Sequence, residues 1–487
     1  MQVGGSASES LVVALQDALG HESVLTEKEE LRPFECDGLS VYRRLPMIVV
    51  LPSTVEEVQA VMRVCRKFGV TVVARGAGTG LSGGALPIEN GVLLSLSKFG
   101  KIIEIDPDNR MAVVQPGVRN LAISNAAAPH GLYYAPDPSS QIACTIGGNV
   151  AENSGGVHCL KYGLTVHNIL GLKVVTMDGE LLVIGSDALD SAGYDMLALL
   201  TGSEGLLGVI VEVTVKLLPR PDRVQVILAA FDDIEKAADA VGAVISAGII
   251  PAGLEMMDNL AIRAAEAFAH AGYPLEAQAI LLCELDGTNA EVSEHVMKVR
   301  ELMKEAGAIH VRTAKDEEER KTLWKGRKSA FPAVGRISPD YYCMDGTIPR
   351  RNLGKVLKRI AELSEIYGLR VANVFHAGDG NLHPLILFDA AHELEKTEAF
   401  GRAILALCVE AGGTITGEHG VGMEKLDAMC IQFSAAELAQ FHAVKAAFDP
   451  DKLLNPGKAV PTLHRCAEFG AMHVHHGNLP HPELERF

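Results

Sequence analysis

The feature that most restricts the fold of this chain is a glycine-rich loop, RGAGTGLSGG at residues 75–84, set between two strand-like runs, VTVVA before it and VLLSLS after it. Gly78, Gly80 and Gly83 fit the spacing GxGxxG. In a Rossmann unit, however, that fingerprint must open a helix whose N-terminus meets the pyrophosphate. Here Pro87 and Asn90-Gly91 follow the loop and the next periodic segment is again a strand, so the Rossmann reading fails. A glycine loop between strands can still hold a pyrophosphate, because successive backbone N–H groups without side chains form an anion-binding nest. It can equally be a tight surface turn. Upstream, Ser53 and Glu56 read as a capping box that starts a helix on which Val55, Val58, Val61, Met62, Cys65 and Phe68 recur at helical spacing up to Gly69.

Two more segments favour the ligand-binding reading. PDPSSQIACTIGGNVAENSGG, residues 136–156, is long, nearly uncharged and rich in small residues, and LTGSEGLLGVI, residues 200–210, is a further small-residue loop before a strand. Such stretches are costly to order unless something fills them. Three of them between residues 75 and 210 point to one extended ligand lying against backbone. The net charge of −17 supplies no general attraction to nucleic acid or anionic lipid. No signal peptide and no apolar span of membrane length is visible, which predicts a cytoplasmic protein. The nine cysteines are scattered singly and are expected to be reduced; without a CxxC pair there is no sign of an iron–sulfur or structural zinc site.

These three segments resemble the PCMH-type flavin domain of the vanillyl-alcohol oxidase superfamily, which binds FAD between two α+β subdomains. The resemblance implies pyrophosphate contacts at Gly76, Ala77, Gly78, Thr79 and Gly80. It implies further FAD contacts at Pro136, Asp137, Ser140, Gly147, Gly148, Asn149, Ser154, Gly155, Gly156, Glu204, Gly205 and Ile210. Members that attach flavin covalently through the first loop carry a histidine there; this loop has none, so the expected FAD is non-covalent.

From about residue 223 strand and helix alternate as in an α+β cap over an antiparallel sheet. VANVFHAGDGNLHPLILFD, residues 371–389, reads as two apolar strands joined at Gly378-Asp379-Gly380-Asn381, with His376 and His383 beside the turn. Either histidine could be a hydrogen-bonded structural residue, and the pair could equally bind a metal. Glu418 and His419 stand among glycines in GGTITGEHGVG, residues 412–422. Two imidazoles and a carboxylate suit Zn²⁺ or Mn²⁺ with open coordination positions. No HExxH occurs to support a zincin protease.

FECDGLS near the start, GRKSAFPAVGRISPDYYCMDGTIPRR, NVFHAGDGNLHPLILFD, TGEHGVG, FHAVKAAFDPDKLLNPGK and TLHRCAEFGAMHVHHG together resemble the FAD-linked D subunits of bacterial glycolate oxidases, a group close to D-lactate and D-2-hydroxyglutarate dehydrogenases. The resemblance implies a two-subdomain FAD-binding domain at 1–222, a substrate and metal domain at 223–460 and a His-rich tail at 461–487. It implies a metal on His376, His383 and Glu418, His419 as base, and Arg327, after Trp324, as the substrate-carboxylate ligand. The implied reaction is oxidation of glycolate to glyoxylate by hydride transfer from C2 to flavin N5, with D-lactate or another D-2-hydroxy acid as the alternative substrate. Leu385 stands where the hydroxyglutarate members have asparagine, and their lysine near Cys343 is absent, which favours a small substrate. The implied partners are a second flavin-domain-like subunit and an iron–sulfur subunit, through which alone the chain would meet the membrane. The tail histidines His473, His475, His476 and His481 are either part of a docking element or simply solvated. A non-catalytic flavin-carrying scaffold is the rival of a different class; it would not need Arg327, His376, His383, Glu418 and His419 together.

Overall fold

A computed structural model describes residues 5–188 and 192–461; Cys466 and the histidine-rich tail lie outside them. The first half holds two sheets. In the four-stranded sheet the order is Val24–Leu25, Ile48–Val50, Val92–Ser95, Val72–Arg75. The last two strands are parallel, with Val72 opposite Val92, and the glycine loop is their crossover. Parallel neighbours need a long connection, usually a helix; here the loop itself spans the distance. The expected helix forms over Val55–Phe68 and closes on Gly69 in the left-handed region at φ 63°. Its cap is one residue later than the sequence suggests. Thr54 accepts from Glu57 N, and Glu57 reaches back to Ser53 N at 2.6 Å and Ser53 Oγ at 2.9 Å. Val58, Val61, Met62 and Cys65 are fully buried against Ile48, Val50 and Val72, each such aliphatic contributing roughly 1.5–3 kcal/mol.

The second sheet is five-stranded and antiparallel, in the order Ile102–Asp106, Met111–Val114, Val209–Lys216, Ile169–Val175, Leu181–Gly185. A seven-stranded antiparallel sheet dominates the second half: His310–Thr313, Arg223–Phe231, Ala279–Gly287, Gly253–Asp258, Val371–Phe375, Pro384–Phe388, Asp340–Cys343. Arg223–Phe231 and Ala279–Gly287 pair in register from Arg223 opposite Gly287 to Phe231 opposite Ala279. Alternation sends Ile227, Ala229 and Phe231 into one core and Val226, Leu228 and Ala230 into another, so the sheet is covered on both faces. Helices Ile234–Ser246, Asn289–Glu305, Leu353–Tyr367 and Leu394–Glu410 pack on the first face, and Asn259–Ala269 and Glu317–Lys328 on the second.

Late in the chain a short segment returns to the first half. Leu454 pairs in parallel with Val72, Asn455 N donates to Val72 O at 2.8 Å, and Asn455 Nδ2 donates to Gly84 O at 3.0 Å and Glu204 O at 2.7 Å. Buried Lys458 donates to Gly84 O at 2.9 Å. Cys36, Cys65, Cys144, Cys159, Cys283, Cys343 and Cys408 are free thiols; Cys430 departs from the expectation of reduced cysteines and is disulfide-bonded. Among the described residues no helix is long and apolar enough to cross a membrane.

Candidate functional site

The three small-residue segments meet around one cavity of about 480 Å³. Its wall includes Gly76, Ala77, Gly78, Thr79 and Gly80 from the first, Ser140, Gly147, Gly148, Asn149 and Ser154 from the second, and Glu204, Gly205 and Ile210 from the third. Glycine is required where backbones abut: a Cβ on Gly76 would lie 2.3 Å from Thr145 Oγ1, and Gly78 has φ 68°. At Gly80 a Cβ would meet nothing, so that backbone faces open space. Thr145 begins a helix over Ile146–Glu152, within a stretch whose turn-formers and small residues do not predict one, and its buried Oγ1 has no protein partner. A strip of accessible backbone with an unsatisfied hydroxyl at its edge suits a dinucleotide.

Pro136, Asp137, Gly155 and Gly156 do not line this cavity. The Pro136 carbonyl accepts from Asn120 Nδ2 at 3.0 Å. Asp137 Oδ1 is 2.9 Å from His158 Nδ1. A Cβ on Gly156 would meet Asp137 O at 2.5 Å, and one on Gly155 would meet Glu418 Oε2 at 2.6 Å, so Gly155 lets the first half approach the Glu418 carboxylate. Glu204 reaches the cavity wall, yet its carboxylate is occupied by Val421 N at 2.7 Å and Gly422 N at 2.6 Å.

At the cap end the cavity is lined by Arg327, Lys328, Phe331, His383, Glu418 and His419. The hairpin between Val371–Phe375 and Pro384–Phe388 puts His376 and His383 in its eight-residue connection, with ring centroids 5.1 Å apart. Both rings aim Nε2 at one oxygen: Glu418 Oε1 is 3.2 Å from His376 Nε2 and 2.9 Å from His383 Nε2. The ligand atoms of His376, His383 and Glu418 lie within 4.8 Å of one another. The three donors converge as a divalent ion with open positions requires. Burial pushes the Glu418 carboxyl up, but the two imidazoles outweigh it and hold the group well below the usual range.

Two carboxylates that the motif reading did not single out organise this end. Glu255, fully buried on strand Gly253–Asp258, has Oε1 2.7 Å from His376 Nδ1 and Oε2 2.6 Å from Arg327 NH2. It fixes the His376 tautomer and holds the guanidinium, whose buried Nε has no protein partner. Asp345, also fully buried, accepts from Gly417 N at 3.0 Å, His419 N at 2.9 Å, Thr416 Oγ1 at 2.6 Å and Lys425 Nζ at 3.2 Å. It thereby shapes the turn that presents Glu418 and His419. The His419 ring stacks on His383 at 5.0 Å, and burial lowers its pKa to about 4 against the opposing pull of the Asp345 carboxylate. A neutral imidazole at the cavity wall can accept a proton.

A glycine-walled dinucleotide cavity closed by a cap carrying a buried arginine and a histidine pair is the arrangement of a two-domain flavoprotein oxidoreductase. Residues 46–185 match the FAD binding domain model, and 220–459 match that of FAD linked oxidases, C-terminal domain. The glycolate oxidase subunit GlcD of Escherichia coli K12 is 66% identical over 98% of this chain and 96% of its own length. The Bacillus subtilis protein of the same name is 40% identical over 87% and 91%. The fold of p-cresol methylhydroxylase superposes with a TM-score of 0.80 at 19% identity, covering 95% of this chain and 98% of that one. This chain belongs to the FAD-linked oxidases, and its cofactor is FAD.

Proposed function

We propose that the chain oxidises glycolate to glyoxylate, with non-covalent FAD as immediate electron acceptor and a divalent metal, zinc or manganese, on His376, His383 and Glu418. The observation that carries the reading is the convergence of Arg327, His419 and this cluster at the cap end of the glycine-walled cavity. The near-full-length similarity to glycolate oxidase subunits supports the substrate. When bound, the flavin supplies the two-electron sink and the metal the charge that makes an alkoxide less costly. Arg327 holds the substrate carboxylate through the guanidinium edge that Glu255 leaves free. His419 takes the proton of the 2-hydroxyl. Fixing carboxylate and hydroxyl together orients C2. Leu385, where the hydroxyglutarate group has asparagine, is packed in the apolar core and does not line the cavity. Loop 75–84 has no histidine to attach a flavin.

Electrons would leave through a second flavin-domain-like subunit and an iron–sulfur subunit, with the chain on the cytoplasmic face. Relatives named as subunits support membership of a complex. The test is an anaerobic titration of the purified flavoprotein with glycolate, following the visible flavin band. Bleaching that a chelator abolishes is the expected result. An unbleached flavin after metal is restored overturns the reading, and bleaching by D-lactate in preference to glycolate would move it to the D-2-hydroxy-acid alternative.

A further inference from the structure

Helix Glu317–Lys328 carries Arg327, and three of its other side chains tie it to the rest of the molecule. Arg320, Trp324 and Lys328 stand four residues apart, so they share one side of the helix. Glu284 meets the first two: its Oε2 lies 3.0 Å from Arg320 NH1 and accepts from Trp324 Nε1. Strand Ala279–Gly287 puts Glu284 on the same face as Ile280 and Leu282, where its carboxylate is buried. The other oxygen, Oε1, is 3.0 Å from His158 Nε2. On the far side of that ring, Nδ1 is 2.9 Å from Asp137 Oδ1, and Asp137 Oδ2 lies 3.8 Å from Lys328 Nζ. The groups form a closed circuit from the second glycine segment to the Arg327 helix and back. Both neighbours of the His158 ring are acceptors, so both nitrogens must donate, which only an imidazolium can do. Burial opposes that charge, but Asp137 and then Glu284 outweigh it and raise the pKa to about 10.

We propose that His158 is a positioning residue for glycolate oxidation, a doubly bonded imidazolium that fixes the helix bearing Arg327 against the flavin-binding segment 136–156. Asp137 leads directly into Pro138, Ser139 and Ser140 of the cavity wall, and Val157, next to His158, shares an apolar cluster with Trp324. The substrate ligand stands on one side of this circuit and the cofactor cavity on the other, so whatever joins the two halves sets their alignment. A misplacement of about 1 Å between reacting groups costs on the order of 10² in rate even where binding is kept. The proposal rests on the reading of Arg327 as the carboxylate ligand.

The test follows anaerobic flavin reduction of the FAD-loaded protein by stopped flow over a range of glycolate concentrations, which separates the limiting rate from the apparent Kd. His158→Gln should lower the limiting rate about 10- to 100-fold, with FAD content and apparent Kd within about twofold of wild type. Backbone hydrogen exchange should rise in residues 317–328 of the same variant. Asp137→Asn weakens the flavin-side tie while leaving His158 its Glu284 partner, and it serves as well should His158→Gln fold poorly. It should show the same loss of rate, and the double variant should be no slower than the slower single one, because both break one link. Unchanged rates in both variants, losses that multiply in the double variant, or an apparent Kd that rises as far as the rate falls would each overturn the proposal. Arg327→Gln, measured alongside, should raise the apparent Kd. An unchanged Kd there strikes the role of the arginine alone, since hydrogen exchange in 317–328 still decides whether His158 holds the helix.

Discussion

Glu255 divides one carboxylate between two arms of the site, with Oε2 2.6 Å from the Arg327 guanidinium and Oε1 2.7 Å from His376 Nδ1. Arg327 and His376, the residues proposed to bind the substrate carboxylate and a metal, are therefore fixed relative to each other by a single buried side chain. Glu255→Gln replaces an acceptor with a donor on one side. It should weaken metal retention by roughly 10- to 100-fold and raise the KM for glycolate, because both arms lose their reference point. Metal content after dialysis and a KM-against-kcat comparison check this; a variant with altered kcat alone would contradict it.

His419→Asn keeps a hydrogen-bonding side chain and removes the basic imidazole. Turnover should fall by about 10² to 10⁴, the usual range for one general base, with FAD content unchanged. Stopped-flow flavin reduction is the measurement, and an undiminished rate would remove His419 from the reaction.

Gly380 closes the connection between His376 and His383 at φ 85°, and a Cβ there would lie 2.1 Å from Ile348 O. Both strain and collision fall on backbone that cannot yield cheaply. Gly380→Ala should cost about 1–3 kcal/mol of stability and lose bound metal while keeping FAD, whose cavity is built by other segments. Metal and flavin contents measured on the same preparation separate the two effects.

Glu424 is a buried carboxyl whose oxygens have no hydrogen-bond partner, and burial raises its pKa from 4.5 to about 7. With the folded value above the unfolded one, its contribution to stability is complete below about pH 4.5 and lost as pH rises through 7. Glu424→Gln removes that loss. The difference in unfolding free energy between variant and wild type should be near zero at pH 4.5 and grow in the variant's favour up to pH 8, by no more than about 3 kcal/mol. Thermal unfolding across this range is the check, and a pH-independent difference would contradict the assignment.

The repeating patterns were legible in the sequence and the long-range assignments were not. Strands such as Arg223–Phe231 and the helix Val55–Phe68 follow from apolar periodicity, which local chain geometry imposes. Ser53 and Thr54 are both good caps followed by adjacent glutamates, so a one-residue shift was invisible until Glu57 chose its partner. The short helix Ile146–Glu152 was missed because its two glycines give it little intrinsic helix preference. The convergence of His376, His383, Glu418 and His419 could be anticipated from glycine-bounded motifs. Asp345, followed by Gly346, carries no local signal of its role, because its partners at 416–425 lie far along the chain. Glu255 did leave a signal, a lone carboxylate inside the apolar run Leu254–Met257, which in a buried strand calls for a partner.

The return of Leu454, Asn455 and Lys458 to Val72 and Gly84 bears on how the protein is made. The strand and loop that carry the first glycine segment emerge early from the ribosome, yet the atoms that brace them are translated almost four hundred residues later. Until then Gly84, which lines the cavity, lacks the donors that Asn455 and Lys458 bring to its carbonyl. A chain released at residue 450 would keep the bonds of Ser82 with His419 and Met423 but leave the Gly84 carbonyl without these donors, so the end of the loop is completed only as synthesis nears its end.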